Sequence, residues 1–249
     1  MQTPFIFHIE SLIMIVSFST GYVLYRKLER DLHVLFFCVF LQLCLTITQY
    51  CLSLYRINNL WAIHISTLCE YSFYIYILSL WQQKPGLAKI YRVSIPIFSL
   101  FWFIGLFTFN AYTKFDSLTS GVSSILIVFA ACNNLLQVYL EDTLSVWRDK
   151  RFFVLVGLIF FYGSNFLVST FSNLIYQLIK ERFVDFWTIF IWLNIFLYLC
   201  FTAAFIIEYW EKHKPSTKRT AKSYEEYYQR VIKPYLEEIA REHNLQKRK

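Results

Sequence analysis

Charge is scarce in this chain. Only 16% of its 249 residues are Asp, Glu, Lys or Arg, whereas a soluble domain carries about 25%. The deficit excludes an ordinary water-soluble globule, because it is concentrated in long runs that hold almost no formal charge. Glycine and proline are also few, six and five, and only Pro96 falls inside an apolar run. That argues against helices broken at mid-membrane, the device by which many transporters bring backbone groups to their cargo. The six cysteines, Cys38, Cys44, Cys51, Cys69, Cys132 and Cys200, all lie in apolar runs and form no Cys-x-x-Cys. They read as small, polarizable apolar side chains rather than as metal, redox or disulfide partners. The sequence has no Asn-x-Ser/Thr sequon. The opening MQTPFIFHIE has no basic segment, and no A-x-A-like cleavage site follows, so the first apolar run is expected to stay in the protein.

Hydrophobic residues make up 57% of the chain and aromatic residues 20%, with a mean hydropathy of +0.42. Seven apolar runs have the length needed to cross a bilayer as helices: 5–25, 33–55, 60–82, 93–112, 118–140, 152–179 and 186–209. The expected fold is therefore all-α, a polytopic membrane protein with a seven-helix bundle over 1–210 and a basic tail over 211–249. The basic residues sort by gap. Arg26, Lys27 and Arg30 follow the first run, Lys84, Lys89 and Arg92 the third, and Arg148, Lys150 and Arg151 the fifth. Adding the tail, twenty of the twenty-four Lys and Arg fall on one side, leaving Arg56, Lys114, Lys180 and Arg182 on the other. The excess of basic residues in cytoplasmic loops then places the N-terminus outside and the tail in the cytoplasm. Trp61, Trp81, Trp187 and Trp210 stand at run ends, where an interfacial aromatic belt is expected.

The same scarcity bears on chemistry. No Lys lies in the last run, so a retinal Schiff base is excluded. Only His8 and His64 fall inside runs, with His33 at the edge of one, too few for the three convergent ligands of a catalytic zinc site or for axial haem pairs. Gly163-Ser164-Asn165 is not the G-x-S-x-G of a serine hydrolase. The expectation is a chain with no catalytic activity of its own, no metal, no cofactor and no nucleic-acid partner. Its surroundings are the lipid bilayer.

One residue stands against the apolar background. In HISTLCEYSFYIY, residues 64–76, Glu70 lies about ten residues from either end of its run, near the bilayer midplane at about 1.5 Å per residue. An ionised carboxylate facing lipid there costs several kcal/mol, so Glu70 is expected inside the bundle as a neutral carboxylic acid. Glu10 and Glu208, near run ends, are expected to reach the interface. Thr67 and Tyr74 share a helix face with Glu70. Gln42, Asn133, Asn134, Asn165 and Asn194 lie at broadly similar depths. Together they form a candidate interior cluster, either interhelical hydrogen bonding or a ligand or proton site.

Two patterns concern organisation. Phe36–Phe37 and Phe152–Phe153, each after a basic gap, and Leu60–Trp61 and Phe186–Trp187 suggest a faint three-plus-three repeat. In the tail, Ser223-Tyr224-Glu225-Glu226 has the form of a capping box. Pro234 would break the helix that follows, giving short helices over 224–232 and 234–245. Such a basic, tyrosine-rich amphipathic segment suits anionic lipid or a cytoplasmic or membrane protein partner.

RDKRFFVLVGLIFFYGSNFLVSTFSNLI, DFWTIFIWLNIFLYLCFTAAF and HISTLCEYSFYIY together resemble a group of seven-helix integral membrane proteins common in Bacteroidota. The group has no established activity, and its members resemble the membrane sensor part of histidine kinases. No ATP-binding domain is read here, and Arg241-Glu242-His243 lacks a kinase phosphorylation context. The resemblance implies a receptor-like module in the bacterial cytoplasmic (inner) membrane, signalling through inner loops and tail to a partner. A small-solute or proton-linked transporter using Glu70, and a structural subunit of a membrane complex, are the alternatives.

Overall fold

A computed structural model describes residues 5–55, 57, 59–108, 117–141, 146–178, 183–213 and 233. Among these residues the chain is all-helical. Its α-helices are α1 Phe5–Leu24, α2 Arg30–Leu54, α3 Leu60–Trp81, α4 Pro85–Thr108, α5 Ser117–Glu141, α6 Lys150–Leu178 and α7 Phe183–His213. Short 3-10 turns, Tyr25–Lys27 and Val146–Arg148, precede α2 and α6. The chain divides into two units, Met1–Tyr209 and Trp210–Lys249. The helices expected over 224–232 and 234–245 lie outside the described residues.

Among the described residues five helices, α2 and α4 to α7, are long and apolar enough to cross a membrane. Their outward faces fit that setting. On α4, Ile90, Val93, Ile97, Leu100, Phe103 and Ile104 are all exposed, a large apolar surface for water but ordinary for lipid. The interior is built from α3, which packs on α2, α4 and α5, while α5 and α6 make the most extensive helix pair. Tyr71, Tyr74, Ile77 and Leu78 of α3 are fully enclosed, as are Leu155 of α6 and Phe201 and Phe205 of α7. Two glycines allow helices to approach closely. A Cβ at Gly21 of α1 would stand 2.8 Å from the Phe36 ring and 3.1 Å from that of Phe205. One at Gly157 of α6 would stand 3.0 Å from Cys200 and 3.1 Å from Leu197.

The helix ends depart from the sequence reading in one informative place. The Lys84-Pro85-Gly86 segment reads as a turn, but Pro85 is the first residue of α4, eight residues ahead of the expected run. Proline suits the first helical position because its missing N–H would have no intrahelical partner there. The amphipathic first turns of α4 carry Lys89 and Arg92 on a helix rather than a loop.

The end of the bundle that carries the basic gaps is cross-linked by charge. Lys150 Nζ, at the start of α6, contacts Glu29 at 2.5 Å, Asp31 at 3.1 Å and Glu208 at 2.9 Å. Asp31 Oδ2 also accepts a 2.7 Å hydrogen bond from Trp81 Nε1. One cation thus joins the starts of α2 and α6 to the later part of α7, with α3 drawn in through Trp81. This corrects two expectations. Glu208 does not reach outward but is 3% exposed within an ion pair, and Trp81 is a buried donor rather than a belt residue. Trp61 is exposed, as a belt residue would be; the side chain of Trp187 lies outside the described residues.

Candidate functional site

Glu70 sits mid-α3 and its carboxyl is held on both oxygens. Tyr162 of α6 donates its hydroxyl to Oε2 at 2.6 Å. Ser66, one turn earlier on α3, places its Oγ 2.9 Å from Oε1. The same Oγ lies 2.8 Å from Oε1 of Gln42 on α2. A serine hydroxyl has a single proton and donates once. Both short contacts are satisfied when Glu70 is a protonated acid that donates to Ser66, which in turn donates to Gln42. The hydrogen bonds then run in one direction, from Tyr162 through Glu70 and Ser66 to Gln42. They stop at Gln42 Nε2, a buried donor with no protein partner.

Gln42 is also one of the residues lining a cavity of about 300 Å³. Glu70, Ser66 and Thr67 of α3 line it, with Gln42 and Gln49 of α2. Across from them stand Asn165 of α6, Asn194 of α7 and Glu10 of α1. Asn194 Nδ2 donates to Glu10 Oε1 at 2.5 Å, so Glu10 is turned inward, not toward the interface as its position near a run end suggests. Asn165 Nδ2 donates to Ser124 of α5 at 3.0 Å. The apolar wall includes Phe161, Phe190 and Tyr198. Among the described residues, no lysine, arginine or histidine lines it.

The lining follows the antiparallel order of the helices. The first halves of α1 and α3 contribute, as do the second half of α2 and the start of α5, so the cavity belongs to the end opposite the basic gaps. Below it an aromatic layer closes the interior. Tyr74 packs edge-on to Tyr162 with ring centres 5.7 Å apart and lies 6.0 Å from Phe201, which in turn stands 5.9 Å from Tyr198. Along α6, Lys150 lies twelve residues before Tyr162, about 18 Å at the helical rise. The cavity and the Lys150 cluster are therefore separate sites in the same helices.

The sequence candidates divide accordingly. Glu70, Gln42, Asn165, Asn194 and Thr67 meet at the cavity; Thr67 also donates back to the Ile63 carbonyl at 3.2 Å. Asn133 does not join them, because it donates to Tyr91 of α4 at 3.0 Å, while Asn134 donates to the Ala130 carbonyl at 2.9 Å. Tyr74 shares Glu70's helix face but lies in the aromatic layer. Ser66, Tyr162 and Glu10 are the residues the sequence reading missed. The i, i+4 spacing of Ser66 and Glu70 is the one signal that pointed to any of them. Among the described residues no group of three His, Cys, Asp or Glu is placed to hold a metal ion. No protein-family model, curated protein or solved structure matches the chain.

Proposed function

We propose that this chain is a receptor-like membrane module that binds a small polar solute in the cavity and signals to a partner through its inner loops and tail. In this reading all seven helices span a bacterial cytoplasmic membrane, with the N-terminus outside and the tail in the cytoplasm. The observation that carries it is the cavity. A space of about 300 Å³ with mixed polar and apolar walls, at the lower end of the range for small-molecule sites, is kept open beside an apolar core. Two features favour a receptor over the transporter alternative. The buried rings of Tyr74, Tyr162 and Phe201 pack together on the side of the cavity toward the basic end. Beyond it the Lys150 cluster ties α2, α6 and α7 together.

The orientation is tested with a reporter active only in the cytoplasm. Fused after Lys249 it should be active, and inserted in the 113–117 loop it should be silent; activity at both places sinks the seven-span topology. The binding role is tested by screening small polar solutes for thermal stabilisation of the purified chain in nanodiscs. The expected result is stabilisation that disappears in Thr67→Phe, which fills the cavity, with no uptake of the same solute into reconstituted vesicles. Uptake would turn the reading to a transporter. Failure of every solute, together with co-purification of an obligate partner, would turn it to a structural subunit.

A further inference from the structure

The geometry points to a small organic ammonium compound carrying an acceptor oxygen as the solute of this cavity, with its ammonium on Glu10 and its oxygen on Gln42. This assignment rests on the cavity being a binding site, and it narrows the chemistry of the occupant.

Charge sets the first limit. Among the described residues, Glu10 and Glu70 are the carboxyl groups of the lining, and no lysine, arginine or histidine lines it to receive an anion. An anionic solute would enter a desolvated space without a counter-charge. The two carboxyls are not equivalent. Glu70 is engaged on both oxygens by Tyr162 and Ser66, so both are already committed within the protein. Glu10 has one oxygen engaged, by the Asn194 amide. It is therefore the group available to pair with a cation. Phe161, Phe190 and Tyr198 in the same wall offer ring surface that suits an ammonium.

Gln42 sets the second limit, and it is independent of charge. The residue is 6% exposed and lines the cavity, and its Nε2 has no partner in the protein. Its Oε1 is fixed by Ser66, so the amide presents its NH₂ as the unfilled end of the hydrogen-bond chain. A buried donor without an acceptor is unfavourable, and a simple alkylammonium has only donors. A ligand that completes the site must bring an acceptor oxygen as well as a cation.

A matched two-carbon series isolates each feature: ethanolamine has both, ethylamine lacks the oxygen, ethylene glycol lacks the cation, and glycolate replaces the cation with an anion. Binding of these probes to the full chain in nanodiscs is measured by titration calorimetry and thermal shift. Ethanolamine should bind best and glycolate not at all. Glu10→Gln keeps a partner for Asn194 and should weaken ethanolamine about tenfold, the size of a charge-assisted hydrogen bond. Gln42→Met should bring ethanolamine down to the affinity of ethylamine while leaving ethylamine unchanged, a pattern that general loss of structure does not produce. Glycolate or ethylene glycol binding as well as ethanolamine would overturn the assignment, as would Gln42→Met weakening both amines equally. If none of the four binds, the ammonium assignment falls. The binding role falls with it only when the wider solute screen also finds no cavity-dependent ligand.

Discussion

The two ends of the bundle hold their carboxyls in opposite ways. At the basic end Glu29, Asp31 and Glu208 share one ammonium, Lys150, and the surrounding side chains are packed. At the other end Glu70 is held by a tyrosine and a serine, and Glu10 by an asparagine, beside open volume. A carboxyl paired with the protein's own cation is committed to holding helices together. A carboxyl held by neutral groups next to a cavity keeps the capacity to meet something that arrives. In a chain this poor in charge, the partner rather than the charge itself separates a structural site from a receptive one.

The comparison breaks most sharply at Lys150. Lys150→Met removes the cation that Asp31 and Glu208 share, and Glu208 is almost fully enclosed. Removing one partner of a buried ion pair costs about 3–5 kcal/mol. Melting of the purified protein in detergent should show the largest drop of any variant considered. Lys150→Met combined with Glu208→Gln should recover part of it, because the enclosed charge is gone. If Lys150→Met melts like the parent, the cluster is not holding the helices.

Glu70→Leu comes next. It leaves the Tyr162 hydroxyl, which is buried, without its acceptor and removes one contact of Ser66. Each stranded polar group costs roughly 1–3 kcal/mol, so melting should fall by less than in Lys150→Met but clearly. An unchanged melting temperature would mean that Glu70 contributes nothing to the interior network.

Gly157 lies on α6 between the two ends, close against Cys200 and Leu197 of α7, and so tests whether they depend on the same helix spacing. Gly157→Val adds atoms where even a Cβ stands 3.0 Å from Cys200. Overpacking of this kind costs about 1–3 kcal/mol. A lower melting temperature together with loss of solute binding would show that the cavity relies on the α6–α7 contact. Loss of neither would show slack between those helices.

How much of this was readable beforehand follows from range. The helices were legible because the bilayer sets the length of an apolar run, and their ends were missed where a polar first turn, as in α4, remains helical beyond the apolar run. The gathering of Gln42, Asn165, Asn194 and Thr67 around Glu70 was legible because polar side chains in apolar helices turn inward. Helix rotation was not, and it decides that Asn133 faces Tyr91 and that Tyr74 falls in the aromatic layer. Tyr162 stands 92 residues from Glu70 and Lys150 121 residues from Glu29, and no local pattern carries such pairings. Counting basic residues by gap registered Lys150 only as one more topological charge.

The smallest expected effect discriminates most finely between the two ends. Glutamine has the shape of a protonated glutamic acid and a similar arrangement of groups, one acceptor oxygen and one donor. If Glu70 is the neutral link between Tyr162 and Ser66, Glu70→Gln accepts from Tyr162 with its carbonyl and donates to Ser66 with its amide, and every contact survives. Melting should then stay within about 0.5 kcal/mol of the parent, the range of a change that breaks no specific feature, and solute binding should persist. An ionised Glu70 would behave differently, because it accepts on both oxygens and glutamine would turn one of those acceptors into a donor facing a hydroxyl. The control is Glu208→Gln at the basic end, where the carboxylate is paired with Lys150 and the loss of charge should lower stability by more. Equal losses for the two glutamine variants would mean that both ends hold charged carboxylates, and the contrast between them would collapse.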